Sequence, residues 1–202
     1  EKTLLYNLLS KIDAYEGEVS TFRANHSTVL SLTTATVGID DKADIETAIA
    51  AYDLLSDEAK AKLTTEKALL DSLLVKIVEQ EAEVLAFITD NSTVLGLTLD
   101  TVGIDDKADI DAVIAIYEAL SAAAKAELTT EKTLIYSLLA KINTYIAEVS
   151  TYEADYSDVL TLTVNTVGIV DKTDVQAALI AYDLLSDEAK AKVTTEKTLL
   201  DS

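Results

Sequence analysis

The sequence predicts an all-α protein: a tandem array of three-helix units, each a long, a medium and a short helix, stacked on a 65-residue period into an elongated rod. Three observations carry this. First, the stretch Leu63 to Lys67 (Leu-Thr-Thr-Glu-Lys) returns at Leu128 to Lys132, and again at Val193 to Lys197 with one conservative change. The marker Thr-Val-Gly-Ile keeps the same step at Gly38, Gly103 and Gly168, and a fixed period of this size marks a repeat architecture. Second, apolar residues follow each Thr-Thr pair at alternating steps of three and four, which lays one seam along a helix. Third, the β-branched runs are too few and too short to build a sheet. The apolar half of the composition is mostly Leu, Ala, Ile and Val, and there is no proline.

The first helix of each unit follows from that seam. It reads Leu5, Leu8, Ile12, Tyr15, Val19, Phe22, His26, Val29 in copy one. Copy two reads Leu70, Leu73, Ile77, Gln80, Val84, Phe87, Asn91, Val94, and copy three Ile135, Leu138, Ile142, Tyr145, Val149, Tyr152, Tyr156, Val159. A single helix of about 30 residues is expected, ~45 Å long. Thr64 or Thr65 is expected to cap it and Glu66 to favour its positive end. The poor helix formers Asn91, Ser92 and Thr93 mark where it would break instead.

The chain then turns through Thr33 to Ile39, where Gly38 is expected to supply a positive φ. Asp40 and Asp41 are expected to cap the second helix, with Ile45, Ala48, Ile49, Tyr52 and Leu55 on its buried face. Ser56 opens a short third helix, Asp57 to Lys62, with Ala59 and Leu63 inward. The copies would divide as 1–65, 66–130 and 131–195, with 196–202 opening a fourth. The Thr-Thr pair alone joins them, so adjacent units should hold a nearly fixed angle. With no methionine anywhere, the chain reads as a piece of a longer protein.

With 36 acidic and 16 basic residues the formal net charge is −20, so nucleic acid and anionic lipid are not expected partners. No apolar run approaches the ~20 residues of a membrane span. The absence of cysteine removes disulfides, thiol catalysis and cysteine-ligated metals.

The segments Ala50 to Leu70 and Ile180 to Lys197 carry Ala-Tyr-Asp-Leu-Leu-Ser-Asp-Glu-Ala-Lys-Ala-Lys followed by a Thr-led long helix. They resemble the helical tandem repeats of large secreted surface proteins of Gram-positive bacteria, and the pairs Asp41-Lys42, Asp106-Lys107 and Asp171-Lys172 fit as well. The resemblance covers about half of each unit and is built of cap and core positions. It implies an extracellular location and a stalk that holds other domains away from the cell.

No catalytic, cofactor-binding or metal residue is expected. The single histidine, His26, lies on the packing seam, and its counterparts are Asn91 and Tyr156. Asp40, Asp41 and Asp44, with Asp105, Asp106 and Asp109, are the nearest approach to a calcium site. Their spacing does not match a calcium loop, copy three has Val170 in the first position, and helix capping accounts for them. Asn25-His26-Ser27 and Asn91-Ser92-Thr93 match the glycosylation pattern, an uninformative match in a bacterial protein. There is no Gly-x-Ser-x-Gly elbow and no phosphate-binding glycine loop. Tyr52, Tyr117 and Tyr182 mark a repeated core position, whereas Tyr136, Tyr145, Tyr152 and Tyr156 could line a binding patch on copy three.

The expected function is structural and non-catalytic: a stalk or spacer segment of a bacterial surface protein, adhesin-like or filament-forming, whose first partners are its own neighbouring repeats. Two alternatives differ in kind. One is a module whose helix face binds a host or matrix protein. The other is a subunit that assembles with itself into a fibre or surface lattice, which light scattering with and without calcium would separate from a monomeric stalk.

Overall fold

The computed structural model describes residues 1–194. Among them there are eleven α-helices and no strand. In chain order these are α1 (Lys2–Asn25), α2 (Ser27–Leu30), α3 (Lys42–Asp53), α4 (Asp57–Lys62), α5 (Thr64–Asp90), α6 (Ser92–Leu95), α7 (Lys107–Ala119), α8 (Ala122–Glu127), α9 (Thr129–Asp155), α10 (Lys172–Leu184) and α11 (Asp187–Lys192). The chain forms two compact units. One comprises Glu1–Asp90 with Leu120–Leu128, the other Asn91–Ala119 with the chain from Thr129 onward.

The long helices do not run unbroken for 30 residues. α1 ends at Asn25 and α5 at Asp90, and a one-turn helix follows each after a single residue, His26 or Asn91. Those two residues adopt φ −112°, ψ 19° and φ −107°, ψ 17°, outside the helical well. In copy three the equivalent turn is a 3-10 turn, Val159–Thr161. The expected single helix is therefore corrected to a long helix plus a short turn. The seam survives the break, because Phe22 and Val29, Phe87 and Val94, and Tyr152 and Val159 are all buried.

The core of the first unit gathers Phe22, Val29, Val37, Ile45, Ala48, Leu63, Leu70, Leu73 and Ile77. Leu63, Leu70, Leu73 and Ile77 are completely buried, each stabilising by roughly 1.5–3 kcal/mol relative to exposure. This core runs from α1 through α3 into α5, so Leu63 and Leu70, on either side of the exposed Thr64–Thr65 step, belong to the same core. α5 begins at Thr64, and the Lys67 N–H donates to the carbonyl of Leu63 at 2.9 Å. The cap position falls on Leu63, a core residue with no side-chain oxygen, and not on a threonine.

α5 has several neighbours within the first unit. It packs against α3, α2 and α8, and the Gln80 amide donates to the Val37 carbonyl at 3.0 Å. α9 does the same within the second unit, packing against α7 and α11.

The loops between the first and second helices of each copy are turns, not extended segments. Thr33, Thr98 and Thr163 donate their N–H groups to the hydroxyls of Thr36, Thr101 and Thr166 at 3.0, 2.9 and 2.8 Å. Gly38, Gly103 and Gly168 then donate to Asp41, Asp106 and Asp171 at 2.9, 2.8 and 2.8 Å. These aspartates close a 3-10 turn back onto glycine. Asp41 and Asp171 make no side-chain cap to α3 and α10, contrary to the sequence expectation. The glycines are not there for a positive φ either: none of the described residues adopts one, and Gly38 lies at φ −113°, ψ 169°.

Candidate functional site

The short helices show how local sequence and a distant side chain combine. Ser56, Ser121 and Ser186 cap α4, α8 and α11, their hydroxyls accepting the N–H of Ala59, Ala124 and Ala189 at 3.3, 3.2 and 3.3 Å. Each serine also donates its own N–H to a glutamate of a long helix. Glu18, Glu83 and Glu148 accept it at 2.9, 3.0 and 3.0 Å. Together they make a capping box whose acidic member comes from another helix. Bonding to Ser56, backbone first and hydroxyl second, holds the Glu18 carboxyl below its usual value. For Glu83 the Ser121 hydroxyl leads, and the backbone N–H adds to it. Sequence reasoning missed these glutamates, although their recurrence at one step was the available signal.

His26 is half-buried at the helix break, with its ring 4.9 Å from that of Phe22. Among the described residues, no three acidic or histidine side chains are grouped as metal ligands. Three of the aspartates considered for calcium make contacts with the protein. Asp41 and Asp106 accept from glycine N–H groups, and Asp105 pairs with Lys192 at 2.6 Å.

The tyrosines of copy three do not form one exposed patch. Tyr145 and Tyr152 are buried, and Tyr152 packs against Tyr156 and Tyr182 with ring centroids 5.4 and 6.2 Å away. Tyr136 is exposed, but its hydroxyl donates to Glu118 at 2.7 Å, and that bond raises its pKa. Tyr52 presents its ring edge to Phe22 and its hydroxyl donates to the Lys60 carbonyl at 3.4 Å, as expected of a core position with one wet end.

What remains is apolar surface on α1. Leu4, Leu5, Tyr6, Leu8, Leu9 and Ile12 are all at least half exposed along its first half. Where this face meets α4 there is a groove of about 810 Å³, lined by Ile12, Tyr15, Val19, Arg23, Glu58 and Lys62 among others. It carries no convergent set of catalytic groups. Its chemistry is an apolar floor with charged edges.

No helix among the described residues is long and apolar enough to cross a membrane. No family model matches the sequence, and neither a curated protein nor a solved structure matches it.

Proposed function

We propose that the chain is a non-catalytic spacer: a segment of a tandem array of 65-residue helical units that acts as a stalk in a bacterial surface or secreted protein. The observation that carries this reading is the long helix with two neighbours. α5 packs against both the medium helix α3 and the short helix α8, and α9 against both α7 and α11. A continuous helix that contributes to two successive packings passes bending and tension on without a flexible linker. The glutamate–serine clamp adds support, because it recurs in each copy with the same partners. The resemblance of Ala50 to Leu70 to repeats of Gram-positive surface proteins supplies the proposed location.

Small-angle scattering at high dilution tests the spacer reading. A globule of 202 residues has a radius of gyration of about 17 Å. A stalk gives a clearly larger value and a skewed pair-distance distribution. A second measurement takes the chain fused in frame to another copy of itself. Its longest dimension should nearly double, whereas growth no faster than a compact body of twice the mass refutes the spacer.

A further inference from the structure

We infer that the solvent-facing seam of α5 is a lateral interface, and that its occupant is the same seam of a second copy of this chain laid antiparallel. Val75, Val78 and Leu85 are 59%, 53% and 66% exposed, and Ala82 between them is exposed as well. The four follow one another at steps of three, four and three. That is the spacing by which one helix meets another in a coiled coil. It is a second seam, because Leu70, Leu73 and Ile77 on the opposite side of α5 are completely buried. The face is open although α5 belongs to the middle copy, with a copy before it and a copy after it in the chain.

Equivalent positions show that the apolar residues are peculiar to this copy. In α1 they are Ser10, Asp13, Gly17 and Ser20. In α9 they are Ala140, Asn143, Ala147 and Ser150. All of them are exposed, so the fold turns this face to solvent in every copy and only α5 makes it apolar along its length. A requirement of the core would recur from copy to copy, and this feature does not. The short helix packed against α5 changes in the same sense. Ala122 and Ala123 open α8 where α4 has Asp57 and Glu58 and α11 has Asp187 and Glu188. Loss of surface charge on two packed helices of one copy is the compositional mark of a protein contact.

Charge and symmetry select the occupant. Glu79 and Glu81 border the seam on its two edges, but Lys76 pairs with the first at 3.0 Å and Lys42 with the second at 2.8 Å. The edges are therefore neutral in a chain of net charge −20, and nothing at the seam selects a basic partner. Steps of three, four and three read the same from either end. A second α5 laid antiparallel then brings Val75 against Leu85 and Val78 against Ala82, and the two-fold axis repeats each pairing. Ala82, the smallest of the four, faces Val78 near the axis and lets the two helices approach closely. The seam is about 15 Å long, so the surface it buries falls well short of the about 800 Å² per partner of a stable complex. The contact is accordingly weak, and because it occupies both seams it closes at the dimer. It would set two spacers side by side, a property the spacer reading does not require.

Sedimentation equilibrium of the whole chain, from micromolar to millimolar concentration, tests this. The wild type should pass from monomer to dimer within that range and go no further. Val78→Asn with Leu85→Ser, the residues that α9 carries at these positions, should associate about tenfold or more weakly. Should circular dichroism reveal lost helix in that variant, Val75→Ala with Leu85→Ser replaces it. Leu8→Asn on α1 should dimerise like the wild type. Orientation is read by crosslinking, since the chain has no cysteine of its own. Val75→Cys and Leu85→Cys, mixed at millimolar concentration with oxidised glutathione, should link to each other and neither to itself. A wild type that stays monomeric overturns the contact and leaves the seam to another protein. A seam variant that associates like the wild type overturns it too, and loss of the dimer in Leu8→Asn would move the contact to α1. Links of each cysteine variant to itself overturn the antiparallel arrangement. None of these outcomes touches the spacer reading, which is judged on the dilute monomer.

Discussion

Glu83 shows how much of the fixing of a short helix is done from outside it. α8 has only six residues, far too few to be stable on its own. Its Ser121 cap is local, but the charge that completes the cap comes from α5. The carboxyl is held below its ordinary value, so its unfolded value, near ~4.3, is the higher of the two. Its contribution is therefore complete above that unfolded value and is lost as pH falls through the folded one. Replacement by glutamine removes the charge and keeps the shape. The urea midpoint of Glu83→Gln should lie below that of the wild type near neutrality, and the gap should narrow as pH is lowered from about 6 to about 3. A gap that is constant with pH would mean that the ionised carboxylate is not what Ser121 senses.

At the scale of the element, the long helices assign two values to one sequence pattern. Leu8 and Leu73 occupy the same seam position in α1 and α5, yet only Leu73 is covered. Leu73→Ala should cost about 2–5 kcal/mol in urea unfolding of the dilute protein. Leu8→Ala should change it by no more than about 0.5 kcal/mol. Comparable losses at both sites would show that α1 is covered in solution by something within the same molecule. The seam was legible in the sequence because burial of a helix imposes a 3.6-residue period. The short helices were legible too, since a Ser cap followed by acidic residues is local chemistry. Which half of a seam meets which neighbour was not legible, because periodicity reports a face and not its occupant. The break at Asn91 was legible as the alternative, from three poor helix formers in a row, whereas the one at His26 was not, because the face continues across it while the backbone does not. The positive φ expected at Gly38 did not follow from its place in a turn, because the turn is closed in extended backbone by the Asp41 carboxylate. The exposed first half of α1 was not legible for a related reason, since its seam differs from the buried one of α5 in nothing the sequence displays locally.

At the scale of the whole molecule, the charge of −20 sets how strongly two chains repel one another. Two such chains repel over about 30 Å at 0.01 M salt and over about 10 Å at 0.1 M. Burial of apolar side chains responds far less to salt, being driven by removal of apolar area from water. Any association between chains through apolar surface should consequently strengthen as sodium chloride rises from about 0.01 to about 0.2 M, the reverse of a contact built on opposite charges. Calcium and magnesium at equal concentration should act alike, as counterions to a diffuse acidic surface. Sedimentation across both series checks the two statements together. Association that weakens with added salt would place the attraction in ion pairs and not in the seam. A response to calcium many times that to magnesium would return the aspartates of the glycine turns, Asp105 and Asp106 among them, to consideration as ligands.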